Sequence, residues 1–141
     1  MARVVGIDFG LKRTGLAVTD PLQIIASSLE TVPSKELIPY LKRYAAKEEI
    51  EAFALGFPRN LNMEDTHTTQ PVRKLEAKLK KHFPDTPIHL IDERFTSKMA
   101  LDAMIAGGMK KKDRRQKGNV DKVSAVIILQ SYLDSKNNGF L

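Results

Sequence analysis

The first third of the chain is written in short apolar blocks with period-two character. Residues 4–9 are apolar apart from one carboxylate, Asp8, and residues 16–18 are apolar again, with Gly10 and Gly15 on either side of Lys12-Arg13 between them. That pattern predicts a β-hairpin. After the turn signal Asp20-Pro21, residues 24–32 predict a third strand closing an antiparallel meander. The period then changes. Leu37, Ile38, Leu41, Tyr44 and Ala45 recur at helical spacing, which predicts a helix over residues 35–47, capped by Ser34 and delayed or kinked by Pro39. Residues 53–57 form a short apolar run ending at Gly56-Phe57-Pro58, a buried strand that delivers a polar loop over 59–66. Val72, Leu75 and Leu79, interleaved with Lys and Arg, predict an amphipathic helix over 71–82 that stops near Pro84.

Residues 88–91 read as one more strand. It hands the chain to Asp92-Glu93-Arg94-Phe95-Thr96-Ser97, where Thr96 or Ser97 can cap a helix over about 98–106. Asn119 or Asp121 opens a last helix with Asp121 in its first turn and with Val123, Val126, Ile127 and Leu133 as its apolar face. A frayed tail is expected over about 135–141. The order of elements implies one α/β domain over residues 1–141, with a mixed five-stranded sheet: an antiparallel meander plus parallel crossovers, flanked by helices. Ligands of such sheets gather at the C-terminal ends of strands. Asp8 near the end of the first strand, Glu93 just after the last and Asp121 at a helix start are therefore candidates for one site.

An aspartate inside an apolar strand carries a desolvation cost, which a cation or an ion pair offsets. Asp8 is thus either a metal ligand or a salt-bridged strand residue near a turn. Asp121 is either a ligand or a helix-dipole partner. The chain has 141 residues and no cysteine, which removes disulfides, thiolate nucleophiles and cysteine zinc sites. Any metal is held by oxygen, or by His67, His82 and His89, which lack ligand spacing and read as surface or structural histidines. Three convergent carboxylates suit a hard cation, Mg²⁺ or Mn²⁺, shared with phosphate oxygens and water. No stretch reaches the roughly 20 apolar residues of a membrane span, and no leader precedes the first strand, so a cytoplasmic protein is expected, with no membrane partner.

The formal charge is +6. Lys110, Lys111, Lys112, Arg114, Arg115 and Lys117 lie against Asp113 alone in eight residues, which leaves about +1 for the rest of the chain. This run sits in a flexible loop expected over about 107–119, beside Gly107-Gly108. It reads as a phosphate-backbone contact, or as a solvated face that keeps the protein soluble.

Four motifs in order resemble the YqgF family, bacterial proteins similar to Holliday junction resolvases. They are Gly6-Ile7-Asp8-Phe9-Gly10 through Lys12-Arg13, Gly15 and Asp20; Gly56-Phe57-Pro58; Asp92-Glu93-Arg94-Phe95-Thr96-Ser97; and Asp121 through Ala125 with Ile128-Leu129-Gln130 and Tyr132-Leu133. The resemblance covers nearly the whole chain. It implies a ribonuclease H-like fold and a metal-dependent endonuclease of pre-16S rRNA maturation, with Mg²⁺ or Mn²⁺ as cofactor and Asp8, Glu93 and Asp121 as the acidic triad. In that frame Asp8 bridges two ions, Glu93 and Asp121 each complete one, and Lys12, Arg13 and Arg94 contact phosphates near the cut. An ion pair with Asp92 or Glu93 is the other role open to Arg94.

The chain departs from the family pattern twice. Asn62-Met63 stands where the family has an Asp-Gly pair, and Ser124 where it has alanine, with no fourth carboxylate nearby. A site of three acids holds its second ion weakly or only with substrate, so slow or partner-dependent catalysis follows. The implied partners are precursor rRNA and possible small ribosomal subunit contacts, for a monomer or weak homodimer. Three alternatives stand beside this reading: a Holliday junction resolvase acting on DNA, a non-catalytic RNA-binding module of ribosome assembly, and a phosphotransferase, for which one lobe of this size is too small.

Overall fold

The computed structural model describes residues 2–57, 69–92 and 117–137, with the backbone alone for Thr69, Asp92, residues 117–122 and Asn137. The strands are β1 (Arg3–Phe9), β2 (Arg13–Thr19), β3 (Ala26–Pro33), β4 (Ile50–Phe57) and β5 (Ile88–Asp92). The helices are α1 (Leu37–Ala45), α2 (Thr69–His82) and α3 (Lys117–Asn137), and a 3₁₀ turn at Ser34–Glu36 leads into α1. The sheet order is β3-β2-β1-β4-β5. β1, β2 and β3 pair antiparallel, while β4 joins β1, and β5 joins β4, in parallel. This is the mixed five-stranded sheet that the sequence predicts.

The two sheet faces differ in side-chain size, and that difference positions the helices. Val5, Ile7, Leu16, Phe53 and Leu55 point to the bulky face, where they meet Leu37 and Leu41 of α1 and Val72, Leu75 and Leu79 of α2. The opposite face is floored by Val4, Ala17, Ala52 and Ala54, and it receives Ala125, Ile128, Leu129, Tyr132 and Leu133 of α3. Small side chains let α3 lie close. A Cβ on Gly6 would stand 2.8 Å from the Leu129 Cβ and 2.9 Å from the Ala125 carbonyl oxygen.

Several expectations change, among them the third strand, which starts at Ala26 rather than Ile24, and the first α-helix, which spans Leu37–Ala45 rather than 35–47. The buried face of α3 is Ser124, Ala125, Ile128, Leu129, Tyr132 and Leu133, while Val123, Val126 and Ile127 are only half-buried. The helix starts at Lys117, two residues before the earliest predicted start, so Asp121 falls in its second turn and residues 117–119 belong to helix rather than loop. It also runs on through Asn137, so 135–137 is not a frayed tail. Ser34 makes no side-chain cap; its hydroxyl donates to the Gly10 carbonyl and lies 2.8 Å from the Thr14 hydroxyl. It pins the β1–β2 turn instead. The predicted helix at 98–106, the loop at 59–66 with Asn62-Met63, and His67 lie outside the described residues, as do 138–141.

Ile24 and Ile25 precede β3 and are about 60% exposed, in a loop that Asp20 organises. Its carboxylate accepts the backbone N–H of Ile24 and Ile25 at 2.8 Å and of Leu22 at 3.2 Å. Gln23 sits there at φ 58°, and its side-chain amide donates to the Ala2 carbonyl at 3.0 Å. The N–H of Ile25, foremost, and those of Ile24 and Leu22 hold the Asp20 carboxyl below the ordinary carboxylate pKa. Stability from this group is present above the unfolded value of about 3.9 and is lost as pH falls through the folded one. Asp20→Asn is expected to lower the melting temperature at pH 7 and to flatten its fall below about pH 4. Melts across that range check both effects.

Candidate active site

The site is built at the C-terminal ends of β1, β4 and β5, which lie together because the three strands are parallel. Side chains alternate along β1. Val5 and Ile7 face α1 and α2, and Val4, Gly6 and Asp8 face α3. Asp8 is half-buried and lies directly opposite Gly15 of β2. On the β4 side, Ile7 pairs with Leu55, so the next residue along β4 is Gly56. Neither flanking strand places a Cβ directly beside Asp8.

α3 runs antiparallel to β1 across this face. Its C-terminal half meets the N-terminal ends of the parallel strands: Lys136 Nζ reaches Glu51 at 3.6 Å and the Gln23 amide oxygen at 2.8 Å, and Tyr132 packs on His89 with ring centroids 5.0 Å apart. Ala125 and Leu129 cross Gly6. From that crossing, one helical turn back gives Asp121, about 6 Å along the axis. Two residues forward on β1 gives Asp8, about 6.6 Å. Asp121 thus precedes the crossing on α3 and Asp8 follows it on β1, while the helix as a whole reaches obliquely across all five strands. β5 ends at Asp92, opposite Phe57, and the chain passes directly into Glu93. Glu93 and Arg94 lie outside the described residues, as do Lys110, Lys111, Lys112, Arg114 and Arg115; Lys117 is the first residue of α3.

Lys12 and Arg13 are exposed on the β1–β2 turn. Only glycine fits at position 10 of that turn, because a Cβ there would stand 2.5 Å from the Arg13 carbonyl oxygen. The Ser34 N–H donates to the Lys12 carbonyl at 3.0 Å, and the Ser34 hydroxyl holds Gly10, so both cations are presented from a fixed loop.

A second basic surface is missing from the sequence reading. Arg73, Lys74, Lys78, Lys80 and Lys81 are all exposed on α2, against one carboxylate, Glu76, which Lys80 meets at 3.6 Å. Counting charge along the chain hides this face, because glutamates 48, 49 and 51 cancel it in the sum while lying on other elements. The signal that finds it is the helical period of the lysines. His82 ends this helix, and partial desolvation first, then Lys42, Lys81 and Lys78, lower its pKa. Salt screens exposed charges over about 8–10 Å at physiological ionic strength. Raising salt is therefore expected to move the His82 titration upward toward its ordinary value, which imidazole proton shifts in NMR will show.

Among the described residues, cavities open to solvent at both ends of β1. One of about 370 Å³ lies on α1, lined by Tyr40, Arg43, Tyr44 and Lys47, and burial foremost pushes both tyrosine hydroxyls above their usual pKa. Tyr44 feels the charges of Arg3 and Glu48, which puts this cavity toward the start of β1, away from Asp8. The other, of about 280 Å³, is lined by Phe9 and lies at the Asp8 end of the strand. Among the described residues no group of three or more potential ligands stands ready for a metal, and no helix is long and apolar enough to cross a membrane.

The fold is ribonuclease H-like, of the class seen in Holliday junction resolvases. The fowlpox virus resolvase, solved with Holliday junction DNA, superposes with a TM-score of 0.63 at 14% identity, covering 95% of this chain and 98% of that one. The Thermus thermophilus RuvC, solved with a Holliday junction, gives 0.56 at 16% identity over 99% and 98%. Within that class the chain belongs to the RuvX family, described as Holliday junction resolvase, whose model matches residues 2–135. This is the YqgF family that the four motifs resemble. Among its relatives, a Porphyromonas gingivalis protein is 50% identical over 96% of this chain and 98% of its own. One from Amoebophilus asiaticus is 47% identical over the full length of both. Each is a candidate pre-16S rRNA nuclease by name.

Proposed function

We propose that this protein is a metal-dependent endonuclease that trims the 5′ end of pre-16S rRNA. The observation that carries the reading is the position of Asp8 at the end of β1, where three parallel strand ends lie together, with Gly15 opposite it on β2 and Gly56 on the β4 side. The names of the full-length relatives point to the same substrate. Asp8, Glu93 and Asp121 are the residues that would hold Mg²⁺ or Mn²⁺, since oxygen donors without sulfur suit a hard cation. When bound, such ions supply a water of lowered pKa and offset charge on the leaving oxygen of an in-line displacement.

The chain's own residues bind and orient the strand. Lys12 and Arg13 hold phosphates from the fixed β1–β2 turn, and Arg94 adds a contact beside Glu93. Lys110, Lys111, Lys112, Arg114, Arg115 and Lys117 hold the backbone further from the cut, which makes affinity fall steeply with salt. The protein works in the cytoplasm on rRNA of the small ribosomal subunit, as a monomer or weak homodimer. A four-way DNA junction is the second reading, favoured by the family description and by the DNA-bound structural neighbours.

The test is cleavage of a 5′-extended pre-16S fragment and of a four-way DNA junction, each with Mg²⁺, with Mn²⁺ and with chelator. Metal-dependent cutting of the RNA is expected. Preferential cutting of the junction would put DNA in its place, and salt-sensitive binding without cutting of either would leave a non-catalytic RNA-binding module.

A further inference from the structure

We propose that the cleft between the β1–β2 turn and α2 is a subsite for one unpaired nucleotide of the substrate strand, beside the nucleotide at the cut. The proposal rests on the nuclease reading for its substrate, and on the cleft for everything else. The cleft is lined by Phe9, Leu11, Pro71 and Leu75, with Lys74 and Lys78 on its rim. Its volume, about 280 Å³, is just under the roughly 300–1,000 Å³ of sites that take drug-sized ligands, so it suits a single base.

Three features select the occupant. Leu11 is 76% exposed on a turn that Ser34 and Gly10 hold in place, so a large aliphatic side chain is kept in water beside two ammonium groups. A simple anion gains nothing from such a floor, whereas a nucleotide has a flat apolar face and a charged backbone together. Lys74 and Lys78 are one helical turn apart, about 6 Å along the axis, a spacing that can follow a phosphate backbone. The row of cations continues toward the end of β4, where the Arg73 guanidinium lies over the Phe57 ring, 4.9 Å from its centroid.

Position supplies the last link. Asp8 and Phe9 are consecutive in β1 and point to opposite faces of the same strand end. A strand with its scissile phosphate at Asp8 reaches the cleft by turning around the end of β1, past Lys12. The base then rests against Phe9 and Leu11, and the following phosphates meet Lys74 and Lys78. An unpaired base is required, since a paired one has no free face to offer.

Binding of a single-stranded RNA hexamer and of its abasic analogue, measured by fluorescence anisotropy in chelator across a salt series, tests the subsite. Wild type is expected to bind the hexamer more tightly than the abasic analogue. Leu11→Ser, a change at an exposed position, should weaken the hexamer about fivefold and leave the abasic analogue unchanged. Lys74→Ala with Lys78→Ala should weaken both, and should reduce the slope of log affinity against log salt by about 1.4, or roughly 0.7 per lost phosphate contact on a single strand. Equal effects of Leu11→Ser on both ligands, no effect on either, or an unchanged slope in the lysine variant would overturn the subsite. Because nothing is cut in this assay, a failure of the subsite and a failure of the nuclease reading give separate results.

Discussion

Asp8→Asn is expected to reduce cleavage of the pre-16S fragment by about a thousandfold or more, roughly 4 kcal/mol of lost transition-state stabilisation. The substitution keeps the shape of the side chain and removes its charge, so, on the proposed triad with Glu93 and Asp121, a bound ion would lose its donor from the central strand. Stability should change little, by about 1 kcal/mol or less, because Asp8 is half-buried at a strand end and lies outside both hydrophobic clusters. Single-turnover cleavage and a thermal melt of the same preparation separate the two quantities. Asparagine at this position with full activity would take Asp8 out of the metal site and send the search to other carboxylates.

Gly6→Val is expected to cost more stability than any surface change. Its Cβ alone would come within 2.8 Å of the Leu129 Cβ and 2.9 Å of the Ala125 carbonyl oxygen, and the two methyl groups add to that. Neither colliding atom belongs to the flexible end of a side chain, so relief requires α3 to lift from the sheet. Overpacking of this kind typically costs about 1–3 kcal/mol and occasionally more, and valine at so close a crossing belongs at the upper end. For a chain of this size that corresponds to a fall of about 10 °C in melting temperature. Leu129→Ala should not rescue it, since alanine keeps the Cβ that collides. Rescue would mean that the helix is held less closely than the structure has it. Cleavage should fall together with stability, because α3 carries Asp121 of the proposed acidic triad.

The contrast between α2 and α3 shows what the sequence could reveal. In α2, Val72, Leu75 and Leu79 stand on an otherwise charged helix, so only one face can be buried, and all three are. In α3, apolar residues occupy nearly every side between Val123 and Leu133, and periodicity cannot choose among them. The choice is made by the sheet. Gly6, Ala17, Ala52 and Ala54 form a shallow floor that admits Ala125 at the crossing and leaves β-branched Val126 and Ile127 half-buried at the edges. Ser34 was misread for a similar reason: a serine before a helical period signals a cap, but the Gly10 carbonyl and Thr14 hydroxyl are brought to it from 24 and 20 residues away. The mixed sheet, its antiparallel meander and parallel crossovers, and the strand-end position of Asp8 were legible because they depend on local pattern and on general rules of crossover connections. The basic face of α2 was not, because charge summed along a chain says nothing of the side on which it gathers.

The close seat of α3 also sets an order of events at synthesis. All five strands are made before this helix, and among the described residues it is α3 that gives Val4, Ala17, Ala52, Ala54 and Ile91 their apolar cover. At about 5–20 residues per second, the 45 residues from the end of β5 to the end of α3 take roughly 2–9 s. During that interval the nascent chain lacks the α3 cover of this sheet face, and the proposed acidic triad lacks Asp121. A chain cut short ahead of Lys117 is therefore expected to be a sticky fragment and, with Asp121 in the proposed triad, an inactive one.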